Sequence, residues 1–409
     1  MATRPINPMR TLWLLSAAHA VNHAQAVILP LVYLAIIGEF GVSVAAIAFL
    51  SAAGNIASGL VQLAYSGLTR LFSRRSILAA GGIVFGGGMA AQALTNSFGM
   101  FGLLNVLSRV GGSPQHPVGN ALLAEQFPPE RRGFAIAAHI AGGNVGTVAV
   151  PLLGAALIAA VGWRWSVALF GVPAIIVAVL IGLTVAESGA DRAAARAYGS
   201  VRSAFATVLR DRDLLLVYLS AALGGGGRGL GVLTLFVPVY LSLVLHLDAT
   251  TVTLMYTLLV MGSVPGPIIA GWLSDRYGRK PLIIAAYLFG ALSLVAFVFA
   301  GSNVGLLWLA ILFLSIFNFV ESPQLQALLS DLAPSHLRDA SFSLYFTLAF
   351  GVGSFWVILY GTVVDVLGNA DGLPIVFWMM AAAFVAAALA VLPIRLAPPV
   401  PIIDPPTDA

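Results

Sequence analysis

Cysteine is missing altogether from the 409 residues. That removes disulfides, thiolate metal sites and thiol catalysis. Charge is scarce as well: Asp, Glu, Lys and Arg make up 9% of the chain, against roughly 25% in a soluble domain. So little charge cannot cover a water-facing surface, which excludes a soluble globular protein. Lysine is nearly absent too, with Lys280 the single one among twenty basic residues. No Gly-x-x-x-x-Gly-Lys-Ser/Thr stretch is present to cradle a phosphate, so ATP hydrolysis is not expected of this chain.

What fills the chain instead is apolar: 59% of residues are hydrophobic, with a mean hydropathy of +0.97. In hydrocarbon the backbone must satisfy its own hydrogen bonds, so only helices or a closed barrel can cross. The apolar runs are far longer than the ~10-residue alternating segments of a barrel, so helices are expected. Twelve spans are placed at 11–37, 44–66, 76–96, 98–124, 133–160, 163–186, 214–245, 250–272, 281–300, 304–331, 340–364 and 373–395. The expected fold class is therefore an all-α integral membrane protein of two pseudo-symmetric six-helix bundles. Residues 1–186 form the first bundle, 187–213 a cytoplasmic linker, 214–395 the second bundle and 396–409 a Pro-rich disordered tail. The first apolar run is too long for the core of a signal peptide and is taken as a span.

The net charge of +4 does not point to nucleic acid, because the basic residues sit in short loops. Placing the N-terminus inside puts seventeen of the twenty in cytoplasmic segments, including Arg70, Arg74, Arg75, Arg131, Arg132, Arg276, Arg279 and Lys280. Arg164 falls outside, and Arg109 and Arg228 fall within spans. The positive-inside bias predicts both termini in the cytoplasm of a bacterial inner-membrane protein.

The two halves repeat. Ser-Pro-Gln stands at 113–115 and again at 322–324, an offset of 322 − 113 = 209. Ala121-Leu122-Leu123-Ala124-Glu125, with Pro128 and Arg132 after it, matches Ala327-Leu328-Leu329-Ser330-Asp331, with Pro334 and Arg338 after it; here the offset is 327 − 121 = 206. Arg74-Arg75 pairs with Arg279-Lys280 at 279 − 74 = 205. A repeat of this kind is how many secondary transporters are built, with the site between the halves.

Gly271-Trp272-Leu273-Ser274-Asp275-Arg276-Tyr277-Gly278-Arg279-Lys280-Pro281-Leu282 resembles the signature loop of the major facilitator superfamily. In the N-terminal copy, Arg70 stands where the signature Asp would be. Gly142, Gly146, Pro151 and Gly154 fall at the spacing of that superfamily's antiporter motif in the fifth span. In the N-terminal half, His19-Ala20-Val21-Asn22, Gln115-His116-Pro117 and Gly142-Gly143-Asn144-Val145-Gly146 resemble the fosmidomycin-resistance-type exporters. His23 and Val118 stand where those exporters tend to carry acidic residues. The superfamily resemblance implies a transporter, not an enzyme, working by alternating access. It also implies that spans 1, 4, 7 and 10 line the cavity and that Asp275 meets the start of span 5 near Arg131 and Arg132. Asp275, Arg276, Arg279, Arg131 and Arg132 are accordingly expected to act as a cytoplasmic gate, the alternative being that these charges only set topology. The antiporter spacing implies proton-coupled efflux; proton-coupled uptake of an organic anion is the alternative.

Ionisable residues within spans are costly and usually face a polar cavity or one another. Arg109 lies about eleven residues into span 4, roughly 16 Å deep. Arg228 follows the run Gly224-Gly225-Gly226-Gly227, where four glycines weaken the helix and let backbone approach a ligand. Glu321 is the carboxylate placed well inside a span. Burial favours its protonated form and a nearby guanidinium its charged form, the competition a proton-coupling site needs. The bland alternative is a permanent ion pair with Arg109 or Arg228. His19 and His23, four apart, share a face of span 1 with Asn22 beside it, and His116 lies between Pro114 and Pro117.

The expected substrate-binding residues are thus Arg109, Arg228, His19, Asn22, His23 and His116, with Glu321 and His116 handling protons. Two arginines against one glutamate favour an anionic substrate. A His-x-x-x-His pair can hold a metal, but no carboxylate or thiolate in a span completes such a site, so neither metal nor cofactor is expected. The expected partners are a small solute, protons and membrane lipid, with the chain acting as a monomer. An intramembrane enzyme built on the histidines and Glu321 is the distant alternative.

Overall fold

The computed structural model describes residues 5–395, leaving out the side chains of a few helical positions such as Pro30 and Pro151. The expected tail at 396–409 lies outside the described residues. Among these residues the chain is all helix. The first half carries α1 (Pro8–Phe40), α2 (Val44–Val61), α3 (Tyr65–Leu71), α4 (Arg74–Gln92), α5 (Phe98–Gly112), α6 (Pro117–Gln126) and α7 (Pro129–Thr184). The linker folds as α8 (Ala190–Tyr198) and α9 (Val201–Val208). The second half carries α10 (Arg212–Gly224), α11 (Thr234–Leu243), α12 (Ala249–Met261), α13 (Pro265–Tyr277), α14 (Arg279–Ala300), α15 (Val304–Phe317), α16 (Glu321–Leu332) and α17 (Arg338–Val391).

Local chemistry marks the helix ends, and it repeats between the halves. Ser43 caps α2 and Asp248 caps α12, each accepting from a backbone N–H three residues on; the offset is 248 − 43 = 205. Ser97 and Asn303 cap α5 and α15 in the same way, at 303 − 97 = 206. Such a cap satisfies one of the orphan donors at a helix start. Within α7 the backbone turns at Gly162 (φ 75°, ψ 166°), and within α17 it turns at Gly368 (φ 78°, ψ 165°). Only glycine adopts that conformation without strain, and 368 − 162 is again 206. The repeat read from short sequence matches is thus also a repeat of backbone geometry.

Seven helical stretches among the described residues are long and apolar enough to cross a bilayer by length and composition. The pair Arg212–Gly227 and Gly229–Leu243, bent by 46°, passes the same test as one broken span. Twelve spans were expected; among the described residues seven, or eight with the bent pair, meet this test. Expected span 2 is interrupted by a tighter turn at Gln62–Ala64, and expected span 4 by another at Ser113–Gln115. In α4 the run Gly86-Gly87-Gly88 lowers hydropathy. Outside, large apolar side chains such as Phe49 (76% exposed) and Phe299 (74% exposed) face away from the protein, as a lipid-facing surface requires.

The halves are clamped together on the face that carries the linker. Arg74 of α4 reaches Glu125 (2.5 Å), Asp191 of the linker (3.1 Å) and Asp339 of α17 (2.9 Å). Arg338 also binds Asp191, at 2.5 Å. Burial opposes the charge on Arg74, but these three carboxylates outweigh it and hold the guanidinium above its ordinary pKa. Burial pulls Arg338 below its ordinary value. In the sequence Arg74 read as a loop charge and a repeat match, with nothing to mark Glu125, Asp191 and Asp339 as its partners.

Candidate functional site

Two polar centres lie inside the helical body, one in each half. The first is a cavity of about 170 Å³ between α1, α2, α5 and the break before α6, its wall including Asn22, His23, Asn55, Gln62, Arg109 and His116. Arg109 is half-buried there, its Nη1 donating to Asn55 Oδ1 (2.8 Å) and its Nε to Asn105 Oδ1 (3.1 Å). Both partners are neutral amides, and among the described residues no carboxylate pairs with Arg109. Gly54 makes room for it, since a Cβ there would sit 2.4 Å from Arg109 Cδ. Asn22 donates to the Gly112 carbonyl at the end of α5 (3.1 Å). Asn55, Asn105 and Gln62 were missed by sequence reasoning; an amide inside an apolar span was the signal that would have found them.

The histidines cluster. His19 is wholly buried, so it stands behind the cavity wall instead of on it. Its Nδ1 donates to the His139 carbonyl (3.0 Å). His23 Nδ1 lies 3.0 Å from Thr147 Oγ1. The His19 ring lies 4.5 Å from His23, 4.6 Å from His116 and 4.5 Å from His139, centroid to centroid. His139 therefore belongs to the group as well. One nitrogen each of His19, His23 and His116 falls within 4.8 Å of the others. The sequence offered no carboxylate or thiolate in a span to complete the His19/His23 pair; the break between α5 and α6 brings His116 to it instead.

The second centre is the broken helix of the C-terminal half. After Gly225–Gly227 the backbone leaves the helix at Arg228 (φ −62°, ψ 140°) and turns at Gly231 (φ 90°). The freed backbone groups are taken up across the break. Gly229 N–H donates to the Asn318 carbonyl (2.7 Å), and Asn318 Nδ2 donates to the Gly227 carbonyl (3.3 Å). Tyr360 Oη donates to the Gly226 carbonyl (3.0 Å). A Cβ at Gly229 would strike Phe319 at 2.4 Å, so glycine is needed for this close approach. Arg228 Nε donates to Glu321 Oε1 (3.1 Å). Glu321 opens α16 and is fully buried, while Arg228 keeps a fifth of its side chain exposed. Arg228 Nη2 and Glu321 Oε2 keep unused hydrogen-bonding capacity. The structure thus pairs Glu321 with Arg228 and leaves Arg109 in a separate cavity of the other half.

At the linker face Asp275 meets the start of α7 as expected, but through its backbone. It accepts from Gly133 N–H (3.0 Å) and Phe134 N–H (2.8 Å) and pairs with Arg279. Arg132 instead pairs with Asp331 (3.2 Å), which also accepts from Arg279 (3.0 Å). Arg276 lies over the rings of Trp272 and Tyr277. Arg131 and Arg276 form no ion pair among the described residues, which separates them from Asp275, Arg279 and Arg132. Asp331 was seen only as a repeat match.

The fifth-span glycines have a packing reason. A Cβ at Gly142 would lie 2.6 Å from Ser16 Cβ, and one at Gly146 would lie 2.0 Å from the Ala20 carbonyl oxygen. They let α1 and α7 touch; their spacing is satisfied without any reference to the direction of transport.

The chain is similar to the cis,cis-muconate transport protein of Acinetobacter baylyi, 28% identical over 231 residues, which are 54% of this chain and 55% of that protein. It is 27% identical over 263 residues to the citrate-proton symporter of Klebsiella pneumoniae, covering 60% of this chain and 58% of that protein. The chain thus spans a little over half the length of these relatives. The solved fucose:proton symporter of E. coli has the same fold, with a TM-score of 0.75, 17% identity, and coverage of 94% of this chain and 97% of that one. The citrate-proton relative is named as a symporter, which overturns the expectation of antiport and efflux. The family model for the Major Facilitator Superfamily matches residues 15–358, so the chain belongs to this superfamily of membrane transporters and is not an enzyme.

Proposed function

We propose that this protein is a proton-coupled uptake symporter for a small organic anion. The observation that carries the anion is Arg109, a guanidinium on a cavity wall whose side-chain partners are neutral amides. A cation held by amides keeps its field for a ligand, and a carboxylate bound there gains charge-assisted hydrogen bonds. Citrate and cis,cis-muconate, named for two relatives, belong to that chemical class. The likeness of the N-terminal half to fosmidomycin-resistance-type exporters is taken as one of helix packing around His19 and Gly142–Gly146.

The proton is assigned to Glu321. When Arg228 turns toward an anion arriving between the halves, Glu321 loses its counter-charge in a buried site and takes up a proton. Substrate and proton then cross together as the halves rock about the midplane. The frame for this is twelve spans, six in 1–186 and six in 214–395, joined by 187–213 with both termini cytoplasmic. Spans broken at Gln62–Ala64, Ser113–Gln115 and Arg228 bring the count above the uninterrupted helices. On that topology the clamp at the linker face is read as a closed cytoplasmic side. Asp275, Arg279, Arg132 and Asp331 form the part of that gate nearest α7.

The reading is tested by ligand-induced thermal stabilisation of the purified protein. Dicarboxylates and tricarboxylates are expected to raise Tm in a way that Arg109→Ala abolishes. Stabilisation by neutral sugars or organic cations, undiminished in Arg109→Ala, would refute it.

A further inference from the structure

We propose that His19, His23 and His116 form a binding site for a divalent transition metal ion of the zinc, cobalt and nickel class, open toward the cavity that holds Arg109. Three imidazoles each place a ligand nitrogen within 4.8 Å of the other two. Tetrahedral coordination at about 2.05 Å sets neighbouring nitrogens about 3.3 Å apart. Small rotations of side chains already in ring contact close that difference.

The tautomer of His19 is set for metal. Its Nδ1 donates to the His139 carbonyl, which leaves the lone pair on Nε2. That Nε2 is buried and meets no hydrogen-bond partner, although His19 has no exposed surface at all. A ligating histidine that donates its other nitrogen to a carbonyl is the usual second layer of a metal site. His23 has the same arrangement available, with Nδ1 against Thr147 Oγ1.

The donor set selects the ion. Three neutral imidazoles without thiolate or carboxylate suit zinc, cobalt, nickel or copper and suit magnesium and calcium poorly. Three protein ligands also leave at least one position open. His23 and His116 line the same cavity as Arg109, so the open position faces solvent or a bound anion. His116 further stacks on Phe346 of α17, with ring centroids 4.9 Å apart, which connects the site to the other half.

The test is metal binding by the full-length protein, purified in detergent with no polyhistidine tag. Equilibrium dialysis against Zn²⁺ and the visible spectrum of added Co²⁺ are expected to show one ion per chain. His19→Ala, His23→Ala and His116→Ala are each expected to weaken binding at least tenfold, while His246→Ala and His336→Ala, outside the cluster, keep it. X-ray absorption at the zinc edge of the wild-type protein is expected to show three imidazole ligands, a readout that holds even where a variant fails to fold. Binding below one equivalent, binding unchanged in all three variants, or a zinc shell without three imidazoles would overturn the site.

Discussion

Asn120 donates to Gln326 across the two halves at 2.6 Å, and the two residues are 326 − 120 = 206 positions apart. That is the offset of the internal repeat, so the bond joins equivalent positions and lies on the axis relating the halves. The ion pairs around it repeat as well. Arg74 binds Glu125 as Arg279 binds Asp331, with partners 205 and 206 residues apart. Both of these pairs stay within one half, and the same side chains reach across to the other half through Arg74–Asp339 and Arg132–Asp331, the contacts that the proposed rocking must break.

The buried carboxylate Asp339 is expected to hold that face closed. Removing its charge leaves Arg74 with Glu125 and Asp191, so the cost falls below the about 3–5 kcal/mol of a buried charge left without any partner. Asp339→Asn is expected to lower Tm and to raise labelling of a cysteine introduced at Ser330, which is buried at this face. Labelling as slow as in the otherwise native background would show that the pair does not keep the face shut.

Gly146 is expected to tolerate no side chain. A Cβ there would fall 2.0 Å from the Ala20 carbonyl oxygen, a backbone atom that cannot step aside. Overpacking of this kind costs typically 1–3 kcal/mol. Gly146→Ala should reduce Tm and yield of folded protein, whereas Gly87→Ala, with open space around it, should leave both unchanged. Equal behaviour of the two variants would contradict the packing account.

At the opposite face, beyond the first span, Glu39 accepts from Trp163 Nε1 (2.8 Å) and pairs with Arg164. The hydrogen bond from Arg164 holds the Glu39 carboxyl below its ordinary value. A depressed carboxyl stabilises the fold above its unfolded pKa, and that contribution is lost as pH falls through the folded value. The Tm difference between wild type and Glu39→Gln should therefore be full at pH 7 and shrink below about pH 4. A difference that grows on acidification would have the wrong sign.

Much of the frame was legible because it rests on strong, local signals. Scarce charge and long apolar runs pointed to a helical membrane protein, and the offset near 206 pointed to a repeat that the helix caps and the turns at Gly162 and Gly368 share. What the residues could not give was which of several charges would meet. Arg109 and Arg228 read alike in sequence, each a guanidinium inside a span. Separate helices decide that Arg228 finds Glu321 while Arg109 finds two asparagines. Nothing in the sequence singles out His139, because its partners come from α1 and from the break after α5, more than a hundred residues and about twenty residues away. Helix ends were harder still at 113–116 and 225–231, where tight turns and glycines interrupt runs that composition alone shows as continuous.

Arg109 is expected to act through geometry as well as charge. Its guanidinium spreads donors over Asn55 and Asn105, and a lysine supplies only a point charge. Arg109→Lys should therefore weaken anion affinity by tenfold or more in equilibrium binding and leave Tm of the unliganded protein nearly unchanged. Full affinity in Arg109→Lys would reduce its part to net charge alone.

The most direct measurement compares two modes of transport in proteoliposomes for wild type and Glu321→Gln: uptake of a carboxylate driven by an imposed pH gradient, and counterflow exchange without one. The Arg228–Glu321 account predicts that Glu321→Gln abolishes gradient-driven accumulation and keeps counterflow. Gradient-driven accumulation equal to wild type in Glu321→Gln would contradict it.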